Sequence, residues 1–282
     1  MRDSRWFRSF RTNRGAVVGL VLVTSAIVFA FVGPHLAPRP PNEQFREGLG
    51  QLGIPAPPGS EFLLGADGLG RDELSRLLHG GRVSMQVALL ATALALAIGM
   101  LVGVTSGYFG GLLDQIAMRS VDLLLSLPFL LIAIAVNRAI ARPGIETLYL
   151  LLGMFSWPAL ARVTRAKVMQ VRELEYVTAA QALGAKNARI LLRHVLPNVI
   201  GPAVVLGTSM VADMIIVESA MSFLGLGVQP PQASWGSMLF ESRELMSYAP
   251  HLLIAPATLI VITVFGFNML GEGLRDALDP RA

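Results

Sequence analysis

Residues 175–198 read EYVTAAQALGAKNARILLRHVLPN, a moderately charged, helix-favouring segment between two long apolar runs. The first half leads to Gly184, a residue that permits a left-handed turn at the end of a helix. The second half predicts another helix, about 186–194, with its arginines on one face and apolar residues on the other. Pro197 is then expected to end that helix. A polar helical hairpin in such a hydrophobic chain has to be explained by the rest of the sequence.

The composition indicates an integral membrane protein. Of 282 residues, 53% are hydrophobic and only 15% are charged, whereas soluble domains carry about 25% charged residues. A helix needs about 20 apolar residues to cross the hydrocarbon core. The sequence therefore predicts an all-α membrane protein with six transmembrane helices, at about 15–37, 85–107, 121–140, 146–160, 199–220 and 251–270.

Basic residues set the predicted orientation. The tail 1–14 contains five arginines, which places the amino terminus in the cytoplasm. Six spans return the carboxyl terminus to the same side, so 15–282 forms one six-helix transmembrane domain with two main loops. The loop 161–198, with seven lysines and arginines, lies in the cytoplasm, and the loop 38–84 lies outside.

A stripe of small residues runs along the second predicted span. Alanines and glycines recur there at every fourth position, at Ala91, Ala95, Gly99, Gly103 and Gly107. Small residues at this spacing let two helix backbones approach closely. The stripe predicts a helix–helix contact, with a partner helix in either the same chain or another.

The sequence excludes several kinds of chemistry. It has no cysteine, which rules out disulfides, iron–sulfur clusters and thiol catalysis. It has no G-x-x-x-x-G-K-[ST] loop for a nucleotide and no closely spaced histidines for a metal. Its arginines are not interleaved with aromatic residues as in nucleic-acid binding. We therefore expect no enzyme activity, no bound cofactor and no nucleic acid.

Two further segments carry polar residues. In 65–76, GADGLGRDELSR, the glycines indicate a tight turn, and Asp72 is expected to open a short surface helix. Within the spans, Asn137, Asp213 and Glu218 are candidates for the pathway, because intramembrane carboxylates are costly and are functional by default. Glu218 is expected near water at the outer end of its span. It serves either packing or gating at a subunit interface, or proton coupling in a secondary transporter or channel.

The segment at 178–197 resembles the EAA loop of ABC importer permeases, with the pattern E-A-A-x3-G-x9-I-x-L-P. Ala179-Ala180, Gly184 and Leu196-Pro197 match the pattern. Thr178 stands at the glutamate position and His194 at the isoleucine position, so the loop keeps its shape but lacks the carboxylate.

Other stretches narrow the resemblance to the dipeptide/oligopeptide/nickel permeases. Residues 64–76 look like their L-G-T-D-x-x-G-R-D-x-L-S-R signature, with Ala66 for threonine. Residues 222–236 resemble their external segment before the last span, and 271–281 are similar to their G-D-G-L-R-D-x-L-D-P ending. Residues 14–20 and 43–46 look most like the C type of dipeptide permease.

The resemblance implies a type I ABC importer permease in a bacterial inner membrane, multi-pass, with both termini in the cytoplasm. It implies as partners a homologous permease, two cytoplasmic ATPases that bind ATP and Mg²⁺, and an external peptide-binding protein. Dipeptides, longer peptides or nickel all remain open as the solute. The implied ATPase-coupling residues are Glu175, Thr178, Ala179, Ala180, Gly184, Ala185, Arg189, His194, Leu196 and Pro197.

The same resemblance implies contact between the external segments and the binding protein. The candidates are Asp67, Arg71, Asp72, Gln229 and Trp235. A second interpretation stays open, in which these residues are internal caps of a rigid extracellular plug.

Overall fold

The computed structural model describes residues 10–50, 53–140 and 144–278. These residues form α-helices joined by turns, three short 3₁₀ helices and two isolated β-bridges. The α-helices are α1 Arg14–Phe31, α2 Glu73–Phe109, α3 Gly111–Ser126, α4 Phe129–Ala139, α5 Ile145–Arg172, α6 Glu175–Ala182, α7 Asn187–Phe223, α8 Trp235–Ser242 and α9 His251–Leu278. The architecture confirms the predicted all-α membrane class.

Four helices in the described residues, α1, α2, α7 and α9, are long and apolar enough to cross a membrane. A fifth span results if the bent pair of α3 and α4 counts as one. The fourth predicted stretch lies on α5, which has 28 residues, about 42 Å of helix, but a basic second half. The count of six spans therefore stays a prediction.

The predicted span at 121–140 is not one straight helix. The chain leaves the helix at Leu127, whose ψ of 131° is extended, and α3 and α4 are bent by 83°. Pro128 explains the break, because a proline disfavours helical geometry in the residue before it. Pro158 has no such effect and lies inside α5.

The small-residue stripe of α2 packs against α5 of the same chain. A Cβ atom built on Gly103 would lie 2.6 Å from the Ala161 carbonyl oxygen, and one on Gly107 would lie 2.8 Å from the Arg165 carbonyl oxygen. A Cβ on Gly99 would lie 2.8 Å from a side-chain carbon of α5. The glycines thus allow the two backbones to approach closely, as the spacing predicted.

The predicted short surface helix after Asp72 is wrong. Asp72 does open a helix, since its carboxylate accepts a 2.7 Å hydrogen bond from the Ser75 amide, but that helix is α2 itself, 37 residues long. The predicted external loop therefore ends at residue 72. Glu73 and Arg76 are buried, because the segment 235–242 covers this end of α2.

The prediction that Pro197 ends the second loop helix is also wrong. Helix α7 continues from Asn187 through Pro197 to Phe223. A π-helical turn at Leu191–Val195 comes just before the proline, and such a turn accommodates the missing N–H donor by local rearrangement. Most of the predicted loop 161–198 is therefore helical.

Candidate functional site

The segment between α5 and α7 is a helical hairpin that turns at Gly184. Gly184 has a φ of 80°, a left-handed geometry that glycine adopts without strain. The Ala185 amide donates to the Ala180 carbonyl oxygen at 3.1 Å, and the Gly184 amide donates to the Gln181 carbonyl oxygen at 2.9 Å. This pair of bonds is the Schellman helix ending, so the predicted glycine turn is confirmed.

The inner side of the hairpin is packed against the ends of α2 and α5. Its apolar side chains lie in one buried cluster of Tyr108, Val168, Val171, Val177, Ile190, Val195 and Val199. The Tyr108 hydroxyl donates to Asn187 Oδ1 at 3.1 Å, and Asn198 Nδ2 donates to the Tyr176 hydroxyl at 3.0 Å. The hairpin is consequently fixed to the helix bundle.

The outer side of the hairpin is exposed. Leu183, one residue before the turn, has 89% of its surface accessible. The predicted coupling residues divide between the two sides. Ala180, Ala185, His194 and Leu196 are half-buried, whereas Glu175, Thr178, Ala179, Gly184, Arg189 and Pro197 are exposed. Sequence reasoning missed Leu183, although an apolar residue in a polar turn was a usable signal.

On the predicted external side, charged residues form a buried cluster. Arg71 Nε lies 2.6 Å from Asp67 Oδ2, and Arg71 Nη2 lies 2.7 Å from Glu241 Oε2. Arg76 Nη2 lies 2.9 Å from the same Glu241 oxygen, and Arg76 Nε lies 3.2 Å from Asp67 Oδ2. The cluster joins the loop before α2, the start of α2 and α8. Glu241 was missed, because nothing in the sequence links it to residues 165 positions earlier.

The candidates for the external mouth are mostly internal. Asp67, Arg71, Asp72 and Trp235 are all buried, and their role, at the mouth or as internal caps, stays a prediction. The Trp235 indole donates to the Leu77 carbonyl oxygen at 3.1 Å. Gln229 is exposed, and its contact with another protein stays a prediction.

Glu218 is not near water, contrary to expectation. Its side chain is fully buried and accepts hydrogen bonds from Ser84 at 3.0 Å and Ser222 at 2.7 Å. Ser84 also accepts a 3.1 Å bond from the Trp235 amide. Helix α8 folds over this end of α7, and the serines thereby join α2, α7 and α8.

The other two pathway candidates lie apart from Glu218. Asp213 is exposed, on a different face of α7. Asn137 is half-buried and donates to the Leu226 carbonyl oxygen at 3.0 Å. In the part of the chain that the structure describes, no three His, Cys, Asp or Glu residues are placed to hold a metal ion.

Replacing Arg76 by methionine tests the buried charge cluster. Arg76→Met would leave Asp67 and Glu241 with one fewer cation in a buried site, and breaking such a pair costs about 3–5 kcal/mol. We expect a clearly lower thermal unfolding temperature of the purified protein. Arg82→Met, at an exposed position of the same helix, should change stability by no more than about 0.5 kcal/mol. Equal losses in both variants would contradict the assignment.

Two protein-family models match this chain. Residues 87–282 match the family model described as binding-protein-dependent transport system inner membrane component. Residues 4–58 match the model for the N-terminal TM domain of oligopeptide transport permease C. Together the two models cover most of the chain.

Three curated relatives are similar over nearly the full length. The dipeptide transport system permease protein DppC of Alkalihalophilus pseudofirmus is 38% identical, covering 98% of this chain and 88% of the relative. The di/tripeptide transport system permease protein DppC of Pseudomonas aeruginosa is 39% identical, covering 98% and 91%. The oligopeptide transport system permease protein OppC of Bacillus subtilis is 38% identical, covering 96% and 87%.

A solved structure shares the fold. A chain of the inward-facing MetNI methionine ABC transporter, native crystal form, superimposes with a TM-score of 0.61 at 18% identity. The match covers 72% of this chain and 97% of that one. At this identity the likeness concerns the fold alone.

Proposed function

This chain belongs to the family of binding-protein-dependent transport system inner membrane components, and from that premise we propose its solute, its partners and its mechanism. It is one of two related permease subunits that together form a pathway for peptides. The names of relatives at 38–39% identity, which refer to dipeptides, di/tripeptides and oligopeptides, support peptides as the solute. An external binding protein delivers the peptide, and two cytoplasmic ATPases bind ATP and Mg²⁺.

The observation that carries this proposal is the hairpin of α6 and the start of α7. Its inner side is fixed to the bundle through the buried cluster around Val177 and Ile190. Its outer side presents small residues and Leu183, an apolar side chain that the rest of the chain leaves exposed. A rigid element with an apolar tip is suited to dock on a partner and to transmit a displacement.

The helices on either side of the hairpin carry its displacement into the helix bundle. Only two residues separate the end of α5 from the start of α6. Helix α7 starts within the hairpin and runs for 37 residues, about 55 Å. A movement of the hairpin therefore tilts two long helices together. ATP binding by the partners biases the bundle between two packed arrangements, open to the inside or to the outside.

The proposed location is a bacterial inner membrane, with both termini and the hairpin in the cytoplasm. The excess of basic residues in 1–14 and 161–198 supports this orientation. Most of the tail and residues 279–282 lie outside the described part of the chain. Modification of a cysteine introduced at the hairpin, by an impermeant thiol reagent, should occur only from the cytoplasmic face.

Co-purification and reconstitution test the function. The affinity-tagged chain should retain a second permease and ATPase subunits from native membranes. Vesicles with the whole assembly should accumulate peptide when ATP and the binding protein are supplied. Vesicles with this chain alone should accumulate none, with or without a pH gradient. Uptake by this chain alone, driven by protons, would support the secondary-transporter alternative and overturn the proposal.

Glu218→Gln distinguishes a permease driven by partner ATPases from a proton-coupled transporter that uses this carboxylate. The amide can still accept from one serine and donate to the other, so the contacts of Glu218 with Ser84 and Ser222 can be kept. A permease driven by partner ATPases should retain most of its ATP-dependent uptake. A proton carrier that uses this carboxylate should lose transport. Glu218→Leu, which leaves both serine hydroxyls without their acceptor, should lower the unfolding temperature by either mechanism.

A further inference from the structure

Helix α3 carries a polar stripe beside an apolar one, and both are exposed. The polar stripe has spacings of four, three and four residues, which place its members on one helical face. It consists of Gln115, Arg119, Asp122 and Ser126. The apolar stripe, about a quarter-turn away, consists of Leu112, Ile116 and Leu123, which are 71%, 60% and 67% exposed.

The polar stripe continues onto α5 through an ion pair. Arg162 Nη2 lies 2.6 Å from Asp122 Oδ1, and the two side chains are 55% and 54% exposed. The pair thus joins α3 to α5 across an open surface and faces away from the core of the chain.

The depth of this ion pair follows from the packing of α2 on α5. Gly103 of α2 packs against Ala161 and Thr164, so Arg162 lies at the level of Gly103. That glycine is four residues inside the end of the apolar stretch 85–107, about 6 Å of helix. An exposed ion pair at this level would be costly against lipid chains, because charged groups in membrane segments face protein or water-filled cavities.

We propose that the polar stripe of α3, together with Arg162, lines the cytoplasmic part of a water-filled translocation pathway, while the apolar stripe faces away from water. This assignment rests on the proposed function and names the wall of its pathway. The wall presents one carboxylate, that of Asp122, and two guanidiniums, those of Arg119 and Arg162. It offers groups of both signs and therefore suits a zwitterionic solute, such as a peptide with free termini.

Single cysteines test the proposal directly, because the chain contains no cysteine of its own. Gln115→Cys and Ser126→Cys report on the polar stripe, and Ile116→Cys and Leu123→Cys are matched controls on the apolar stripe. Each variant is assembled with its partners in inside-out membrane vesicles. A charged, membrane-impermeant maleimide is added, and its incorporation into this chain is followed over time.

We expect the polar-stripe cysteines to react at least about tenfold faster than the controls, since a thiol in apolar surroundings is slow to form its reactive thiolate. Slow labelling of all four would show that a partner chain covers the stripe. Fast labelling of all four would show that both stripes of α3 are exposed to water. Either result would overturn the proposal.

ATP-driven peptide uptake by the unsubstituted assembly separates this inference from the proposed function. If uptake is ATP-driven and the labelling contrast is absent, only the wall assignment fails. If uptake does not depend on ATP, the proposed function fails, and a persisting contrast would still support a water-lined path along α3.

Discussion

Gly103→Leu should abolish accumulation of the folded protein in the membrane. Even a Cβ atom at this position would lie 2.6 Å from the Ala161 carbonyl oxygen and 2.6 Å from Thr164 Cβ. A carbonyl oxygen of α5 cannot move aside as a flexible side chain would, so α2 and α5 have to separate. Overpacking costs about 1–3 kcal/mol in ordinary cores and occasionally more, and here it breaks a contact that runs along three glycines.

Ala97→Leu is the matched control, because Ala97 is exposed on the same helix. It adds a larger side chain to α2 without meeting α5, and it should accumulate normally. Gly103→Ala should fall between the two. The measurements are the amount of monodisperse protein in detergent and its unfolding temperature. Normal stability of Gly103→Leu would contradict the close contact of α2 and α5.

The contact of α2 with α5 illustrates what the sequence can predict. Small residues at every fourth position identify a helix face that another backbone approaches, and the structure shows such a face. The identity of the partner helix did not follow, because pairing between helices depends on the arrangement of the whole bundle. Proline shows the same limit. Pro128 breaks a span and Pro158 does not, so the rule that a proline disfavours helical geometry in the residue before it does not separate the two sites on its own.

The buried charges were the harder part of the site to predict. Arginine is rarely buried unless it is paired, and the sequence predicts only a short surface helix after Asp72, whereas Arg76 of that helix is buried. Its partner Glu241 lies far away in sequence and becomes close only when α8 folds onto α2. In contrast, the turn at Gly184 was predictable, because a left-handed helix ending is a local property of two helical segments and one glycine.

Leu183→Asp should abolish peptide-stimulated ATP hydrolysis by the assembled transporter and leave the fold intact. Leu183 is 89% exposed, so the chain loses no internal packing, and a surface substitution of this kind changes stability by about 0.5 kcal/mol or less. At a docked interface the side chain would be buried, and burial of a leucine contributes about 1.5–3 kcal/mol. A charge at that position adds the cost of desolvating an unpaired carboxylate.

The control for Leu183→Asp is Leu63→Asp, at a position that is 61% exposed in the predicted external loop, on the opposite side from the hairpin. Both variants should insert and unfold like the parent chain, but only Leu183→Asp should lose the ATPases on co-purification. A loss of about 3 kcal/mol corresponds to roughly a hundredfold weaker binding. Gly184→Pro should have the same effect by another route, because proline cannot adopt the φ of 80° that the turn requires. Normal retention of the ATPases and normal stimulation of ATP hydrolysis in both hairpin variants would contradict the proposal. The ATPases would then act on the helix bundle through a contact other than the hairpin, because docking at the hairpin depends on both Leu183 and the left-handed turn.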